Sequence, residues 1–324
     1  MFNVVSIGGA TRDIFCKTCK GEIIENKKET LLAFEYGSKI IPDEAFFTYG
    51  GGAHNSSVCF ARLGLKAAMV ASIGKDGTGS AMVSDLQNLG VNTTFINKTL
   101  KNHTALGYIV VAGKDHIIFN YRGANDELVI NNWRPLKKTD WFYVSSLTGK
   151  SDLLVPQIFN FAKIHKIKIA WNPGSVQLSE GYKKLADFLK ETEILILNKE
   201  EAKDLVSSSG SKLDLNDEKS LLMELKSFGP KMVIVTCGND GAYACDGFME
   251  YYQKVLSSHI IDTTGAGDAF GSTFTACQIM GLDVNISLEK AAKNAASVVG
   301  RWGATEGLLS KRDLFKARQA VKVK

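Results

Sequence analysis

Prolines are scarce in this chain, and so are several features that would assign it to a special class of protein. Only 5 prolines occur in 324 residues, which argues against long disordered linkers. No apolar run is long enough to span a membrane, and the N-terminal segment lacks the charged region of a signal peptide. The six cysteines do not suggest a disulfide framework. We therefore expect a globular protein of the reducing cytoplasm.

The charge balance excludes another class of partner. The formal net charge is +5, and the basic residues are interspersed with acidic ones. Because a dedicated nucleic-acid-binding protein usually carries a dense basic patch, we expect neither nucleic acid nor a membrane as a partner. The mild positive excess instead suits a small anionic substrate.

Common phosphate-binding and metal-binding motifs are also missing. The chain has no GxxxxGK[ST] sequence, and Gly8-Gly9-Ala10 does not complete GxGxxG. A P-loop kinase and a Rossmann dinucleotide site are therefore disfavoured. Cys16 and Cys19 form a lone CxxC pair with no second pair, so we do not expect a zinc site there.

What the chain does contain is an alternation of apolar and amphipathic segments. The predicted strands are 4–7, 67–73, 141–144, 168–171, 194–197 and 232–236, and the predicted helices are 53–63, 78–89, 152–165, 199–206, 218–228, 267–280 and 287–299. Repeated β-α units of this kind predict an α/β fold, a mostly parallel sheet with helices on both faces. We expect one domain over residues 1–324.

Two β-rich inserts interrupt this alternation, at approximately residues 15–48 and 104–122. Short apolar runs at 22–24, 31–34 and 39–41 predict short antiparallel strands. Residues 104–111 and 116–121 predict a hairpin that turns at 113–115. Since neither insert suits a parallel sheet covered by helices, we predict that both contribute to a small separate β-sheet.

The most informative segment is Asp262-Thr-Thr-Gly-Ala-Gly-Asp268, which leads into a predicted helix. Glycines let the backbone turn tightly and approach a ligand. The first amides of a helix lack acceptors and the helix dipole adds positive potential, so the turn can hold a phosphoryl group in transfer. Asp268 could then accept the proton of an attacking hydroxyl. A glycine turn with a capping aspartate explains the same residues without any catalysis.

Three further polar segments begin or follow predicted elements at the sheet edge where α/β proteins bind ligands. The triple-glycine run before Asn55 allows close approach of a polyhydroxylated substrate. Asn198 and Glu201 share one helix face and could hold Mg²⁺ through water. Residues 236–241 could grip a nucleotide. Each segment also has a structural interpretation, as a turn, a helix cap or a hairpin. For His54, a position on the surface or support of the loop is favoured over ligand contact.

Together these residues resemble the ribokinase (pfkB-type) family of carbohydrate and nucleoside kinases. The C-terminal signature is nearly complete in DTTGAGDAFGSTF at 262–274. An N-terminal signature is recognisable at 50–79, and an NxxE element lies at 198–201. The resemblance implies a three-layer sandwich with a β-sheet lid, and transfer of the ATP γ-phosphate to a hydroxyl of a sugar, with a primary hydroxyl as the expected acceptor group. The lid commonly makes a dimer contact, which implies a homodimer.

The resemblance also implies a role for each matching residue. Asp268 matches the catalytic base, and the anion hole matches Gly265, Ala266 and Gly267. The acceptor would be held by Asp13, Gly51, Gly52, Asn55, Arg122 and Asn125. ATP would be held by Asn198, Thr236, Gly238, Gly241 and Asn294. Glu201 would organise Mg²⁺ through water, and a monovalent cation such as K⁺ would lie near Asp262 and Thr264.

Two departures leave the acceptor open. Ribokinases proper usually carry a Lys where this chain has Gly52, and a Glu in the segment that matches 145–149. The sequence Arg122-Gly-Ala-Asn125 resembles both the Gly-Ala-Asn element of ribokinases and the Tyr-Arg pair with which sugar-acid kinases hold a carboxylate. The alternatives to a sugar such as ribose are therefore a nucleoside and a sugar acid such as 2-keto-3-deoxygluconate. A non-catalytic sensor that binds a sugar is a further alternative.

Overall fold

A computed structural model of the chain describes residues 1–26, 29–113 and 115–316. Within these ranges the strands are β1 (Phe2–Ile7), β2 (Thr11–Lys17), β3 (Glu22–Glu25), β4 (Thr30–Ala33), β5 (Glu44–Gly50), β6 (Ala67–Gly74), β7 (Asn92–Thr99), β8 (Ala105–Ala112), β9 (Asp115–Tyr121), β10 (Thr139–Val144), β11 (Lys168–Trp171), β12 (Ile194–Asn198), β13 (Met232–Thr236), β14 (Ala242–Cys245) and β15 (Glu250–Gln253). The α-helices are α1 (Gly52–Arg62), α2 (Gly77–Asn88), α3 (Val155–His165), α4 (Ser175–Ser179), α5 (Tyr182–Lys190), α6 (Lys199–Ser208), α7 (Glu218–Ser227), α8 (Ala266–Ile279), α9 (Val284–Val298) and α10 (Lys311–Phe315).

The main sheet has nine strands in the order β15-β14-β13-β12-β11-β10-β1-β6-β7. All pairings from β13 to β7 are parallel, and β14 and β15 add an antiparallel edge. Helices cover both faces. The prediction of a mostly parallel sheet flanked by helices is therefore confirmed.

The core lies on both faces of this sheet, because successive side chains of each strand point to opposite sides. On β10, Tyr143 packs with Phe60 and Phe274 on one face, whereas Phe142 packs with Phe159 on the other. A parallel strand that is buried on both faces shows a continuous apolar run. That is why these strands could be recognised from the sequence.

The small sheet has four strands in the order β5-β2-β8-β9, and β3 and β4 form a separate hairpin. Strand β2 pairs with β5 in antiparallel and with β8 in parallel orientation. Both predicted inserts thus contribute to one small separate sheet, as predicted. Residues 39–41 are not a strand, since Pro42 follows directly and restricts the residue before it. The predicted turn at 113–115 includes Lys114, which lies outside the described residues.

Several elements were not predicted from the sequence. Strand β7 is an edge strand without a fully buried residue, so it lacks the apolar run that identifies a strand. Strands β14 and β15 extend the far edge, and α4 and α5 fill the connection between β11 and β12. The predicted helix 152–165 begins later as an α-helix, because residues 149–154 form a 3₁₀ turn and Pro156 occupies the first α-helical turn.

The parallel strands end at one edge of the main sheet, and the polar segments singled out in the sequence lie there. Among the described residues, no helix combines the length and apolarity needed to cross a bilayer. All six cysteines are free thiols, including Cys16 and Cys19.

Candidate active site

The turn before α8 is shaped by a glycine that no other residue could replace without strain. Gly265 is the N-cap of α8 and has a φ of 77°, a backbone conformation that disfavours any residue with a Cβ. A Cβ there would also lie 2.3 Å from the Cβ of Ala304. No side chain caps this helix. The Ala266 amide donates to the carbonyl of Thr263 at 3.2 Å, whereas the amides of Gly265 and Gly267 remain available to an anion.

Asp268 lies in the first turn of α8 and is held from across the site. The amide Nδ2 of Asn55, on α1, donates a hydrogen bond of 2.8 Å to Oδ2 of Asp268. Burial raises the pKa of Asp268 above its ordinary value, and the hydrogen bond from Asn55 opposes that shift. A buried carboxylate with a raised pKa is a better proton acceptor than one in water.

Asp262 stabilises the same turn from below. Its Oδ1 accepts a hydrogen bond from the backbone of Thr264 at 2.9 Å, and its Oδ2 accepts one from Gly303 at 3.1 Å. The carboxylate is 8% exposed. Among the described residues, no Lys or Arg forms an ion pair with it.

Asp13, on β2, faces the cleft between the two sheets. It lies in a row across the small sheet with Thr48 and Gly107. A Cβ on Gly50 would lie 2.0 Å from its Oδ2, and a Cβ on Gly107 would lie 2.5 Å from its Oδ1. The Asp13 carboxylate therefore fits between these two positions only because both are glycines.

The pKa of Asp13 is raised to about 7. Burial is the largest cause, the negative charge of Asp262 is the second, and Arg12 partly opposes them. Asp13 and Asp262 thus form a buried acidic pair between the small sheet and the turn before α8. Such a pair is stabilised by a cation or by hydrogen-bond donors from a ligand.

Asn198 and Glu201 form a capping box at the start of α6. Asn198 Oδ1 accepts a hydrogen bond from the Glu201 amide, and Glu201 Oε2 accepts one from the Asn198 amide, both at 2.8 Å. Burial raises the pKa of Glu201, and the charge of Asp268 raises it further. The cap interpretation is therefore correct for the geometry, and it also brings the Glu201 charge near the catalytic candidate.

A cavity of about 330 Å³ opens beside the turn, between α8, α9 and the β13–β14 connection. Thr236, Gly238 and Gly241 line it, as does Gly267. It is mostly apolar at its far end, where the lining residues include Phe270, Ala292, Ala295, Ala296 and Val299. The cavity leads from a flat apolar slot to the amides of α8, which suits a nucleotide with its phosphates at the turn.

Asn294 does not line this cavity. It is fully buried, and its amide donates to Thr273 at 2.8 Å while its Oδ1 accepts from the backbone of Leu309, also at 2.8 Å. The interpretation of Asn294 as a direct nucleotide contact is corrected accordingly, because both ends of its side chain are already bonded within the core. Its neighbours Ala292 and Ala295 face the cavity instead.

Two more residues that were predicted to bind the acceptor, Asn125 and Arg122, lie on the far side of the cleft. The Oδ1 of Asn125 accepts a hydrogen bond of 2.9 Å from the Ala10 amide, so this side chain fixes the chain after β1. Arg122 is exposed and lines a separate concavity with Tyr121 and Lys150. The structure thus separates Arg122 from Asn125, although only three positions part them in the sequence.

Gly51 connects β5 to α1, which begins at Gly52, and the two glycines bring the backbone close to Asp268. A Cβ on Gly51 would lie 2.6 Å from the carbonyl oxygen of Gly9, and one on Gly52 would lie 2.5 Å from Cβ of Ser145. The same Cβ of Gly52 would be 3.8 Å from Oδ1 of Asp268. The two departures from the ribokinase pattern, at position 52 and in segment 145–149, are therefore in contact with each other.

Sequence reasoning missed several residues of the site. Gly107 lies in a predicted hairpin that contains no recognisable motif. The alanines of α9 do not differ from ordinary helix residues in the sequence. Thr263 and Phe270 line the cavity beside α8. Thr263 lies within the motif 262–268, and Phe270 could have been found by helical spacing from Gly267. His54 is fully buried, which agrees with support of the loop rather than surface exposure.

Comparison with known proteins agrees with this geometry. The model of the pfkB family carbohydrate kinases matches residues 18–312. Ribokinase of Bacillus subtilis is 24% identical over 318 residues, which cover 97% of this chain and 98% of the relative.

Two solved structures share the fold. Ribokinase of Arabidopsis thaliana, complexed with ribose and ATP, superimposes with a TM-score of 0.78 at 19% identity, covering 97% of both chains. A nucleoside kinase of Burkholderia thailandensis, complexed with inosine, does so with a TM-score of 0.78 at 16% identity, covering 96% of both. The chain therefore belongs to the pfkB family of carbohydrate kinases, and it is a phosphotransferase with an alcohol group as acceptor.

Proposed function

We propose that this protein transfers the γ-phosphate of ATP to a primary hydroxyl of a sugar such as ribose. The observation that carries the proposal is the pairing of Asp268 with the uncapped first turn of α8. A proton acceptor and the available amides of Gly265 and Gly267 lie at the same helix start, and Asn55 holds the carboxylate there. The similarity to the ribokinase of Bacillus subtilis along nearly its whole length supports ribose as the first acceptor to test.

The reaction would proceed by in-line displacement. The acceptor hydroxyl attacks the γ-phosphorus and gives its proton to Asp268, while the bond between that phosphorus and the β,γ-bridging oxygen breaks and ADP leaves. The amides of Gly265 and Gly267, and that of Ala266 once it leaves the carbonyl of Thr263, would stabilise the charge on the transferring group. Asp13 would accept hydrogen bonds from the sugar hydroxyls. Positioning of this kind supplies most of the rate in phosphoryl transfer.

ATP fits the cavity beside α8. The adenine would pack against Ala292, Ala295 and Val299, and the phosphates would follow Gly238 and Gly241 towards Gly267. Thr236 and Asn198 end neighbouring strands at the same edge, so they lie on the path of the phosphates. Asn294 takes no part in this contact.

A divalent cation suits the acidic group between the two substrates. Burial raises the pKa of Glu201 and the charge of Asp268 adds to this rise. Glu201 also keeps one carboxylate oxygen, Oε1, without a hydrogen bond from Asn198. Mg²⁺ held through water by Glu201 would offset the charge of the ATP phosphates.

A monovalent cation suits Asp262 for a similar reason. Its buried carboxylate has backbone donors but no ion pair with a Lys or Arg of the described residues, and Asp13 adds a second negative charge. K⁺ near Asp262 and Thr264 would balance this pair without a contact to the acceptor.

The small sheet is proposed to act as a lid over the cleft of a single kinase domain that spans residues 1–324, with inserts at about 15–48 and 104–122. Its outer face carries Phe47, Ile14, Tyr108 and Phe119 in one row across four strands. Phe47 is 59% exposed and Phe119 is 62% exposed. An exposed apolar row of this size supports a homodimer through the lid, and sedimentation of Phe119→Glu should then show a monomer.

A nucleoside or a sugar acid remains the second candidate for the acceptor. Gly52 leaves no long side chain in the cleft, which favours a bulkier acceptor, and the nucleoside kinase of Burkholderia thailandensis shares the fold. Arg122 and Lys150 line one concavity, which favours an acid. The six free thiols support action in the cytoplasm.

An ADP-release screen decides among these acceptors. The panel contains ribose, fructose, 2-keto-3-deoxygluconate, adenosine, cytidine and guanosine, each with ATP and Mg²⁺ in the presence and absence of K⁺. We expect ribose to give the highest kcat/KM. A higher value for a nucleoside or the sugar acid would replace ribose, and binding of a ligand without any product would revive the sensor alternative.

A further inference from the structure

One buried side chain next to the catalytic candidate has no role in the reaction described above. His54 precedes Asn55 on α1 and is 0% exposed. Its Nδ1 lies 3.4 Å from Oδ1 of Asn55, and its ring packs 5.7 Å from that of Tyr49. Its Nε2 has no hydrogen-bond partner among the described residues.

The contact with Asn55 determines which nitrogen carries the proton. A carboxamide oxygen only accepts hydrogen bonds, so Nδ1 of a neutral His54 must be the donor, and Nε2 is then the unprotonated nitrogen. Burial lowers the pKa of His54 to about 4, which keeps the ring neutral under ordinary conditions. Leaving a lone pair of Nε2 unpaired costs less than burying an unpaired charge.

The same contact determines the orientation of the Asn55 amide. With Oδ1 towards His54, the amide presents Nδ2 to Oδ2 of Asp268, at 2.8 Å. The flipped amide would place its oxygen against the carboxylate and its NH₂ against the Nδ1–H of His54. With the proton on Nδ1, both contacts would be between like partners. Moving the proton to Nε2 would leave a buried N–H without an acceptor among the described residues, and the amide oxygen would still face the carboxylate.

We infer that His54 is a positioning residue for the phosphoryl transfer, because its Nδ1–H locks the Asn55 amide in the orientation that holds Asp268. This inference rests on the proposed function, since it assumes that Asp268 is the base. It assigns to His54 a part in the reaction that the glycine motif around it does not explain.

Loss of the contact between His54 and Asn55 should change the pH dependence of kcat. The hydrogen bond from Asn55 lowers the pKa of Asp268 against the effect of burial. An amide that is free to rotate donates for only part of the time, so the pKa of Asp268 rises. The titratable groups whose pKa the charge of Asp268 raises are Glu201, Tyr143 and Cys59, and they are the same in every variant described below.

Three variants test the lock. His54→Phe keeps a planar aromatic ring, larger by one atom, and removes the donor, whereas His54→Asn places an NH₂ where Nδ1 stood. Ser57→Ala is the matched control, because Ser57 is a buried polar residue of the same helix whose hydroxyl bonds the carbonyl of His54 and does not reach Asn55. We expect kcat to fall roughly ten- to a hundredfold in His54→Phe, with the KM for ATP unchanged. His54→Asn should recover most of that loss.

The acid limb of the kcat profile separates positioning from simple loss of packing. It should move to higher pH in His54→Phe and stay at the wild-type position in Ser57→Ala, even if both proteins lose stability. An unmoved acid limb in His54→Phe, or a failed recovery in His54→Asn, would overturn the inference.

A measurement on the resting protein keeps this result independent of the proposed reaction. The ¹³Cγ resonance of Asp268 can be titrated in the full chain without substrate. A higher pKa in His54→Phe than in wild type and in Ser57→Ala supports the lock even if no acceptor is phosphorylated. Equal values in all three proteins refute it, whatever the acceptor.

Discussion

The two ends of the cleft are built in different ways. At the phosphoryl end, one continuous segment, 262–268, supplies the turn, the free amides and the candidate base. At the acceptor end, Asp13 lies on β2 between Gly50 of β5 and Gly107 of β8, and Asn125 and Arg122 follow β9. The first site depends on local backbone geometry, and the second depends on how distant strands of the small sheet pair.

We expect the phosphoryl end to carry out the step that is common to all acceptors, and the acceptor end to determine which acceptor is used. In the proposed reaction, backbone amides and a glycine turn would recognise the phosphoryl group whatever the acceptor, whereas side chains on the small sheet would contact the part of the acceptor that differs between sugars. Changes at the phosphoryl end should therefore lower turnover equally for all acceptors. Changes at the acceptor end should act on KM and differ from one acceptor to another.

The largest effect is expected for Asp268→Asn. The amide keeps the size of the side chain but cannot accept the proton, so kcat should fall by about 10³- to 10⁴-fold with every accepted substrate. ATP affinity, measured by calorimetry, should stay within about threefold of wild type. A loss of kcat that differs strongly between acceptors would contradict the proposed difference between the two ends of the cleft.

Gly265→Ala should have the next largest effect. The new methyl group would meet Ala304 at 2.3 Å and would require a φ of 77°, so the anion-binding amides would move. We expect kcat to fall by about 10²- to 10³-fold. Gly281→Ala is the matched control, because Gly281 has a φ of 75° at the end of the same helix with nothing within 4 Å. Equal losses in both variants would show that the effect is only strain.

Asp13 should control acceptor binding through its ionisation. Its pKa is raised to about 7, and hydrogen bonds from sugar hydroxyls need the carboxylate. The KM for the acceptor should therefore rise up to about tenfold per pH unit below 7, while the KM for ATP changes little. In Asp13→Asn the acceptor KM should be high and nearly independent of pH. A parallel rise in the KM for ATP would contradict this assignment.

The same residue should also affect stability, with the opposite dependence on pH. Between about pH 4 and 7 the folded protein keeps a proton on Asp13 that the unfolded chain has lost, because the ordinary value is 3.8. The free energy of unfolding should therefore fall as the pH rises through this window. Asp13→Asn lacks this dependence, so its urea midpoint relative to that of wild type should increase from pH 5 to pH 8. No relative change would show that the pKa of Asp13 is not raised.

Arg122→Ala should have the smallest effect. The side chain is exposed and lines a concavity apart from Asn125, so the KM for ribose should change by less than about threefold. For a sugar acid the KM should rise more than that, since a carboxylate would lose a charged partner. Equal changes with both acceptors would remove Arg122 from the specificity site.

The same contrast explains what could be predicted from the sequence. Parallel strands such as β10 and β13 are buried on both faces and show apolar runs, and the motif 262–268 contains a whole turn and its helix start. Neither depends on distant residues. The position of Asp268 could therefore be predicted, and so could the fold class.

The remaining features depend on distant contacts. The pairing of β2 with β8 joins segments about ninety residues apart, so no local pattern indicates that Gly107 faces Asp13. Asn294 was assigned to the nucleotide from its place in the chain, but its hydrogen bonds to Thr273 and Leu309 turn it into the core. Edge strand β7 is too polar to resemble a buried strand.

The most direct test of the central claim is proton-coupled ³¹P NMR of one reaction with ATP and ribose. The account predicts a new phosphomonoester signal, split into a triplet by the two protons of a primary carbon, in an amount equal to the ADP formed. Inorganic phosphate as the only product, or no ADP with any acceptor of the panel, would contradict it.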